Sequence, residues 1–124
     1  MTLDIVRDRV TTTLAAGPTE LLGASGIDVK GYSRLSIILV NSGAAPITNI
    51  SVYWLNSQNL TGGGDWTIPD VGVVIPASAP YGGILSAGQV IEYTITDISR
   101  VRMRLAVTGT AGQTVRLSLA ATWA

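Results

Sequence analysis

The sequence predicts an all-β domain, an antiparallel β-sandwich of jelly-roll or immunoglobulin-like type, entered through an extended N-terminal arm. Three observations point there. The first is composition: 47% of the 124 residues are hydrophobic and 13% charged, with 14 glycines, against a charged share of about 25% in ordinary globular domains. An amphipathic helical protein needs Glu and Lys runs to cover its wet faces, and this chain holds one lysine and two glutamates; its Thr, Val and Ile suit a pleated, half-buried surface instead. The second is alternation: Val101, Met103, Leu105 and Val107 interleave with Arg100, Arg102, Arg104, Ala106 and Thr108, which is strand period. The third is punctuation by turn residues at sandwich-like spacing: Asn41-Ser42-Gly43 before Pro46, Thr61-Gly62-Gly63-Gly64-Asp65, Ala87-Gly88 and Gly109-Thr110-Ala111-Gly112.

Residues 1–18 stand apart as the arm, and residues 19–124 form the sandwich domain. The arm opens on mixed charge (Asp4, Arg7, Asp8, Arg9), runs through Thr11-Thr12-Thr13 and ends at Gly17-Pro18 without core alternation. Strands are expected at Thr19–Leu22, Ile27–Val29, Arg34–Asn41, Ile47–Asn56, Trp66–Ile68, Val71–Ile75, Gln89–Thr96, Arg100–Thr108 and Thr114–Trp123. Pro69, Pro76, Pro80 and the pair Gly82-Gly83 restrict that stretch to an edge strand or extended loop, because proline donates no ladder hydrogen bond. In the last strand Val115, Leu117, Leu119, Ala121 and Trp123 share one face. A hairpin through Gly109–Gln113 is expected to set Arg116 beside the arginine row. Leu35–Val40 and Val71–Ile75 are apolar on both faces, so a half-exposed sheet leaves apolar surface for a neighbouring subunit to cover.

The residue inventory excludes much chemistry. With no histidine, relays through imidazole and histidine metal sites are absent; with no cysteine, so are disulfides, thiol nucleophiles and zinc-thiolate sites. Eight basic residues balance eight acidic ones, leaving no net field toward nucleic acid or an anionic membrane. The charged start is neither a signal peptide nor a span, and no apolar run reaches the roughly 18 residues a membrane helix needs. Acidic pairs remain, Asp65 with Asp70 and Glu92 with Asp97, but their spacing demands neither a glycosidase dyad nor an ordered calcium loop. No enzyme, cofactor or metal site is expected.

The row Arg100, Arg102, Arg104 and Arg116 reads either as a partner-binding interface or as a solvated, salt-bridged sheet face. Trp54 and Trp123, in phase with apolar strand faces, read as core. Trp66, beside the glycine loop, and Tyr81 are the aromatics with loop positions from which a partner or a sugar ring is contacted.

The Thr-rich arm (Thr11-Thr12-Thr13-Leu14-Ala15-Ala16-Gly17), the segment Tyr32-Ser33-Arg34-Leu35-Ser36-Ile37-Ile38-Leu39-Val40-Asn41-Ser42-Gly43 and the closing strand pair together resemble the small β-sandwich virion proteins of tailed bacteriophages that decorate or cement a capsid. The resemblance spans most of the chain and rests on its overall plan, not on a signature motif. It implies a non-enzymatic protein on the capsid surface, assembled in the host cytoplasm and bound to the major capsid protein or another virion protein. It further implies a homo-oligomer, a trimer being favoured, with the arm crossing onto a neighbour through Leu3, Ile5, Val6, Arg7, Arg9 and Val10. A tail, baseplate or fibre location fits the same features. The alternative is a carbohydrate-binding or adhesion module using Trp66, Tyr81 and the 57–83 loops.

Overall fold

Alternation along the chain becomes inside and outside of two packed sheets. The computed structural model describes residues 3–55, 74–96, 98 and 102–123. Among these are eight strands: β1 (Leu3–Thr13), β2 (Gly17–Glu20), β3 (Ile27–Asp28), β4 (Tyr32–Val40), β5 (Asn49–Leu55), β6 (Val90–Thr96), β7 (Arg102–Gly109) and β8 (Thr114–Trp123). The first sheet has the order β1-β8-β4-β6, and in the second β7 pairs with β2, β3 and β5, all antiparallel. Because β5 runs along β7 from Arg102 to Thr108, β2 and β3 follow one another along β7's other side.

The pairs are nested: β1 with β8, β2 and β3 with β7, β4 with β6. From β3 onward, successive strands alternate between the sheets, which is the double-sheet jelly-roll arrangement rather than the immunoglobulin-like one. The expected strands at 19–22, 27–29, 34–41, 47–56, 89–96, 100–108 and 114–123 are found within a few residues; that at Trp66–Ile68 lies outside the described residues, and of that at Val71–Ile75 residues 71–73 lie outside them while Val74 and Ile75 belong to no strand. Residues 3–13, expected to lead into the domain as an arm, lie along β8 as the edge strand β1.

The core fills from the inward positions of both sheets, Leu35, Ile37 and Leu39 of β4 facing Val52, Trp54, Met103 and Leu105 of the other layer, with Val115, Leu117 and Leu119 of β8 beside β4. Trp54 is buried as its phase predicts. Trp123 is not: it is 40% exposed. A register shift between Tyr32 and Arg34 sets Tyr32 opposite it, and the indole lies against that ring, centroids 4.7 Å apart and planes tilted by 59°. It also covers Gly31, where a Cβ would meet the indole at 2.7 Å.

At one end of the sandwich two buried amides join four connections. Asn41 Nδ2 donates to the carbonyls of Ala45 (2.8 Å) and Leu85 (2.7 Å), while Asn41 Oδ1 accepts from Gly43 N (3.1 Å) and Gln113 Nε2 (2.9 Å). That exhausts the donors and lone pairs of an asparagine side chain. Gln113 Nε2 also donates to Ala45 O, and its Oε1 accepts from Thr110 N; its backbone oxygen accepts from Leu14 N. The network thus joins the β1–β2, β4–β5, pre-β6 and β7–β8 connections. Residue 43 must be glycine for Gln113 to pass, since a Cβ there would meet its Cγ at 2.7 Å.

Asn41→Ala, which strips four bonds from a buried hub, is expected to lower stability by about 2–4 kcal/mol, read as a fall in the urea midpoint. Ser42→Ala, at the exposed neighbouring position, is expected to change it by less than about 0.5 kcal/mol.

Candidate functional site

With no histidine or cysteine to build on, function is sought on the outward faces and the free edges. The outer face of the first sheet presents Leu3 and Ile5 from β1, Arg116, Ser118 and Ala120 from β8, Arg34, Ser36, Ile38 and Val40 from β4, and Val90 and Glu92 from β6. Its aliphatic members are open to solvent: Leu3 65%, Ile5 59%, Val90 49% and Ile38 36% exposed. The apolar second face of Leu35–Val40 noted in the sequence is therefore real, and lies here.

Strand β1 is irregular. Between Ile5 and Arg7, and again between Arg7 and Val10, its register on β8 shifts, one extra residue each time, as in β-bulges. Arg9 takes up the second shift with φ of 50°, a left-handed conformation rare for a side-chain-bearing residue, and its N–H donates to Ser118 Oγ (3.2 Å). The bulges reset the alternation, so Val6 packs against the core while Ile5, Arg7 and Asp8 line an outer groove of about 190 Å³ with Ser36, Ile38, Ser118, Leu119 and Ala120. No side chain of β1 is fully buried. Besides its ladder with β8, the strand is held by Tyr32, whose hydroxyl donates to Asp4 Oδ2 at 2.8 Å across the width of β8; burial and then this carboxylate raise the Tyr32 pKa.

The arginines expected in one row divide between the sheets. Arg102 and Arg104 face outward from β7, but Arg116 stands exposed on β8, because the Gly109–Gln113 connection crosses from one sheet to the other and no β7–β8 hairpin forms. Arg100 lies outside the described residues. Arg102 donates to the carbonyls of Ser25 (2.9 Å) and Gly26 (3.0 Å). Arg104 forms a two-pronged pair with Glu20 (3.1 and 2.7 Å) and lies over the Tyr53 ring at 5.1 Å. The second sheet therefore uses these cations internally.

Of the loop aromatics, Trp66 lies outside the described residues, as do Asp65, Asp70 and Asp97. Tyr81 is half-buried against the core and donates its hydroxyl to Val90 O (3.0 Å), which spends its polar end within the fold. Glu92 is exposed and in no ion pair among the described residues. No group of three or more metal-ligating side chains occurs among the described residues, and no helix there is long and apolar enough to cross a membrane.

No protein-family model matches the sequence, and no curated protein does. Among solved structures, one described under the words "Bacillus endospore appendages form a novel family of disulfide-linked pili" is similar over 99% of this chain and 88% of its own, at a TM-score of 0.46 and 12% identity. A likeness that remote carries no argument about function.

Sequence reading missed the Asp4–Tyr32 clamp, since nothing in two residues 28 positions apart signals that a strand lies between them. It also missed Tyr93, which turns inward on β6 with a buried hydroxyl lacking any partner among the described residues. Burial, with a smaller contribution from Tyr81, pushes its pKa up to about 12. The folded state then holds a proton that the unfolded chain releases near the ordinary tyrosine value of 10, so stability falls as pH rises through that window. Tyr93→Phe is expected to keep or raise stability at neutral pH, because an unsatisfied hydroxyl is removed, and to flatten the fall between pH 10 and 12 in denaturant titrations.

Proposed function

We propose that this chain is a non-enzymatic structural protein of a tailed-bacteriophage virion, a capsid decoration and stabilisation protein that binds the lattice of the major capsid protein as a homo-oligomer, with a trimer the expected form. Strand β1 carries the reading. It belongs to the sheet by main-chain hydrogen bonds, the Asp4–Tyr32 clamp and the packing of Val6 against the core, contributes no fully buried side chain, and leaves Leu3, Ile5 and Val10 exposed. A strand held that way exchanges one sheet edge for another at little cost, because the ladder it leaves equals the ladder it makes. Leu14, buried beside Gln113, fixes the point from which it swings. The segment Ala15-Ala16-Gly17 follows with exposed side chains and Gly17 at φ of 77°.

Seated on a virion neighbour, Leu3, Ile5 and Val10 would each contribute up to about 1.5–3 kcal/mol on full burial. Repetition of such contacts across one oligomer multiplies their effect through effective concentration. Capsomers pushed apart by packaged DNA are opposed in that way without any catalytic group. The sequence resemblance to capsid-decorating proteins supplies the virion context, and the exposed aliphatic side chains Leu3, Ile5, Ile38 and Val90 of the outer face support a role in assembly.

Light scattering is expected to give a mass that is a multiple of 12.9 kDa, and deletion of residues 1–13 to reduce it and to abolish capsid binding while the far-UV spectrum stays that of a β protein. A monomer at every concentration that also ignores capsids overturns the reading.

A further inference from the structure

We propose that the outer face of the first sheet is a contact between two copies of this chain, related by a two-fold axis that runs parallel to the strands between β8 and β4, with Ile38 of each copy seated in the groove over Ser118 of the other. The inference rests on the reading that the protein assembles, and names a surface centred on β8 and β4 that takes in the outward side of β1.

The geometry comes from one row of the sheet. Ser118 on β8 stands opposite Ile38 on β4, and Ile38 stands opposite Glu92 on β6; on the other side of Ser118 lies the bulged part of β1 carrying Arg7 and Arg9. In order across the sheet the row therefore reads cation, small residue, aliphatic, anion. A two-fold axis between β8 and β4 lays β4 of one copy over β8 of the other, and β6 over β1, so it reverses the row onto itself. Ile38 then meets a floor of Ser36, Ser118 and Ala120, none of which fills the space above it, and that floor is part of the groove described above. Glu92 meets the strand that bears Arg7.

Charge follows the same antisymmetry. On the β1–β8 half of the face stand Arg7, Arg9 and Arg116 against Asp8, which is paired with Arg9 at 3.3 Å; Asp4 is bound to Tyr32. On β6 stands Glu92. Neither Glu92 nor Arg116 is in an ion pair among the described residues. Along the row of Ser118 and Ile38 the β1 end is net positive (Arg7 and Arg9 with Asp8) and the β6 end negative (Glu92), which attracts a copy turned by a two-fold axis, the isologous arrangement in which each patch meets its complement twice.

The size of the face sets the strength. Four strands about 4.8 Å apart, each offering about six residues at about 3.4 Å rise, give a footprint of about 400 Å² per copy, near the size of a weak, transient contact. Alone it associates copies at high concentration; joined to the strand contact it acts cooperatively.

The test is sedimentation equilibrium of the full chain over a concentration series, with thermal unfolding run alongside. Ile38→Asp and Glu92→Arg, both at exposed positions, are expected to weaken self-association at least tenfold without lowering the unfolding temperature. The double change Arg7→Glu with Glu92→Arg is expected to restore it. Self-association unchanged by Ile38→Asp and Glu92→Arg but lost on deleting residues 1–13 overturns this inference and leaves the proposed function standing. A chain that stays monomeric at all concentrations yet loses capsid binding with Ile38→Asp assigns the face to a virion partner and overturns the second-copy occupant. A monomer indifferent to capsids overturns both.

Discussion

The buried amide pair Asn41–Gln113 is the constraint on which the rest of the architecture depends. In a jelly roll most connections cross from one sheet to the other, so the ends of the sandwich need a fixed point that no ladder supplies. Here the crossing from β7 to β8 ends on Gln113, the connection leaving β4 begins on Asn41, and the amides bind each other and the carbonyls of Ala45 and Leu85. Every hydrogen-bonding position of Asn41 is used, and in a low-dielectric interior a fully satisfied polar network is both strong and particular about geometry. Leu14 joins through Gln113's backbone, which is also where the first strand is fastened to the body.

From that fixed end the two sheets treat their outer faces differently. The second closes on itself: Arg104 lies between Glu20 and the Tyr53 ring, and Arg102 caps two carbonyls of the turn before β3. The first keeps aliphatic side chains and uncompensated charges in the open. With few charged residues in the whole chain, the placement of each one shapes the surface. Three cations gather on the strand pair β1–β8, Arg34 stands on β4, and the edge strand β6 carries a carboxylate.

What was legible in the sequence is what depends on near neighbours. The alternation of Met103, Leu105 and Val107, and of Val115, Leu117 and Leu119, gave strands with the right face inward, and Asn41-Ser42-Gly43 gave a turn. The other half of that turn's hub, Gln113, is 72 residues away and carries no local mark. Strand β1 was read as an arm because its two bulges break period two; Leu3-Asp4-Ile5-Val6-Arg7 has no single apolar phase until the extra residues are known. Arg116 was grouped with Arg102 and Arg104 on the assumption that strands joined by a short turn pair with each other, whereas a short turn here spans two layers. Trp123, the last residue of β8, is only partly covered, and its neighbour Tyr32 is set opposite it by a one-residue register shift on β4 that is invisible in the sequence.

Strand β8 lies between β1 and β4, and every pairing it makes spans most of the chain's length. During synthesis, at about 5–20 residues per second, the first strand emerges seconds before its partner exists, and the layer cannot close until residue 123 has left the ribosome. Such a topology folds late and all at once, with slow closure expected of long-range pairing. Until then Leu3, Ile5 and Val10 lack the strand they pair beside, so this aliphatic segment is open to capture by another chain on the same message.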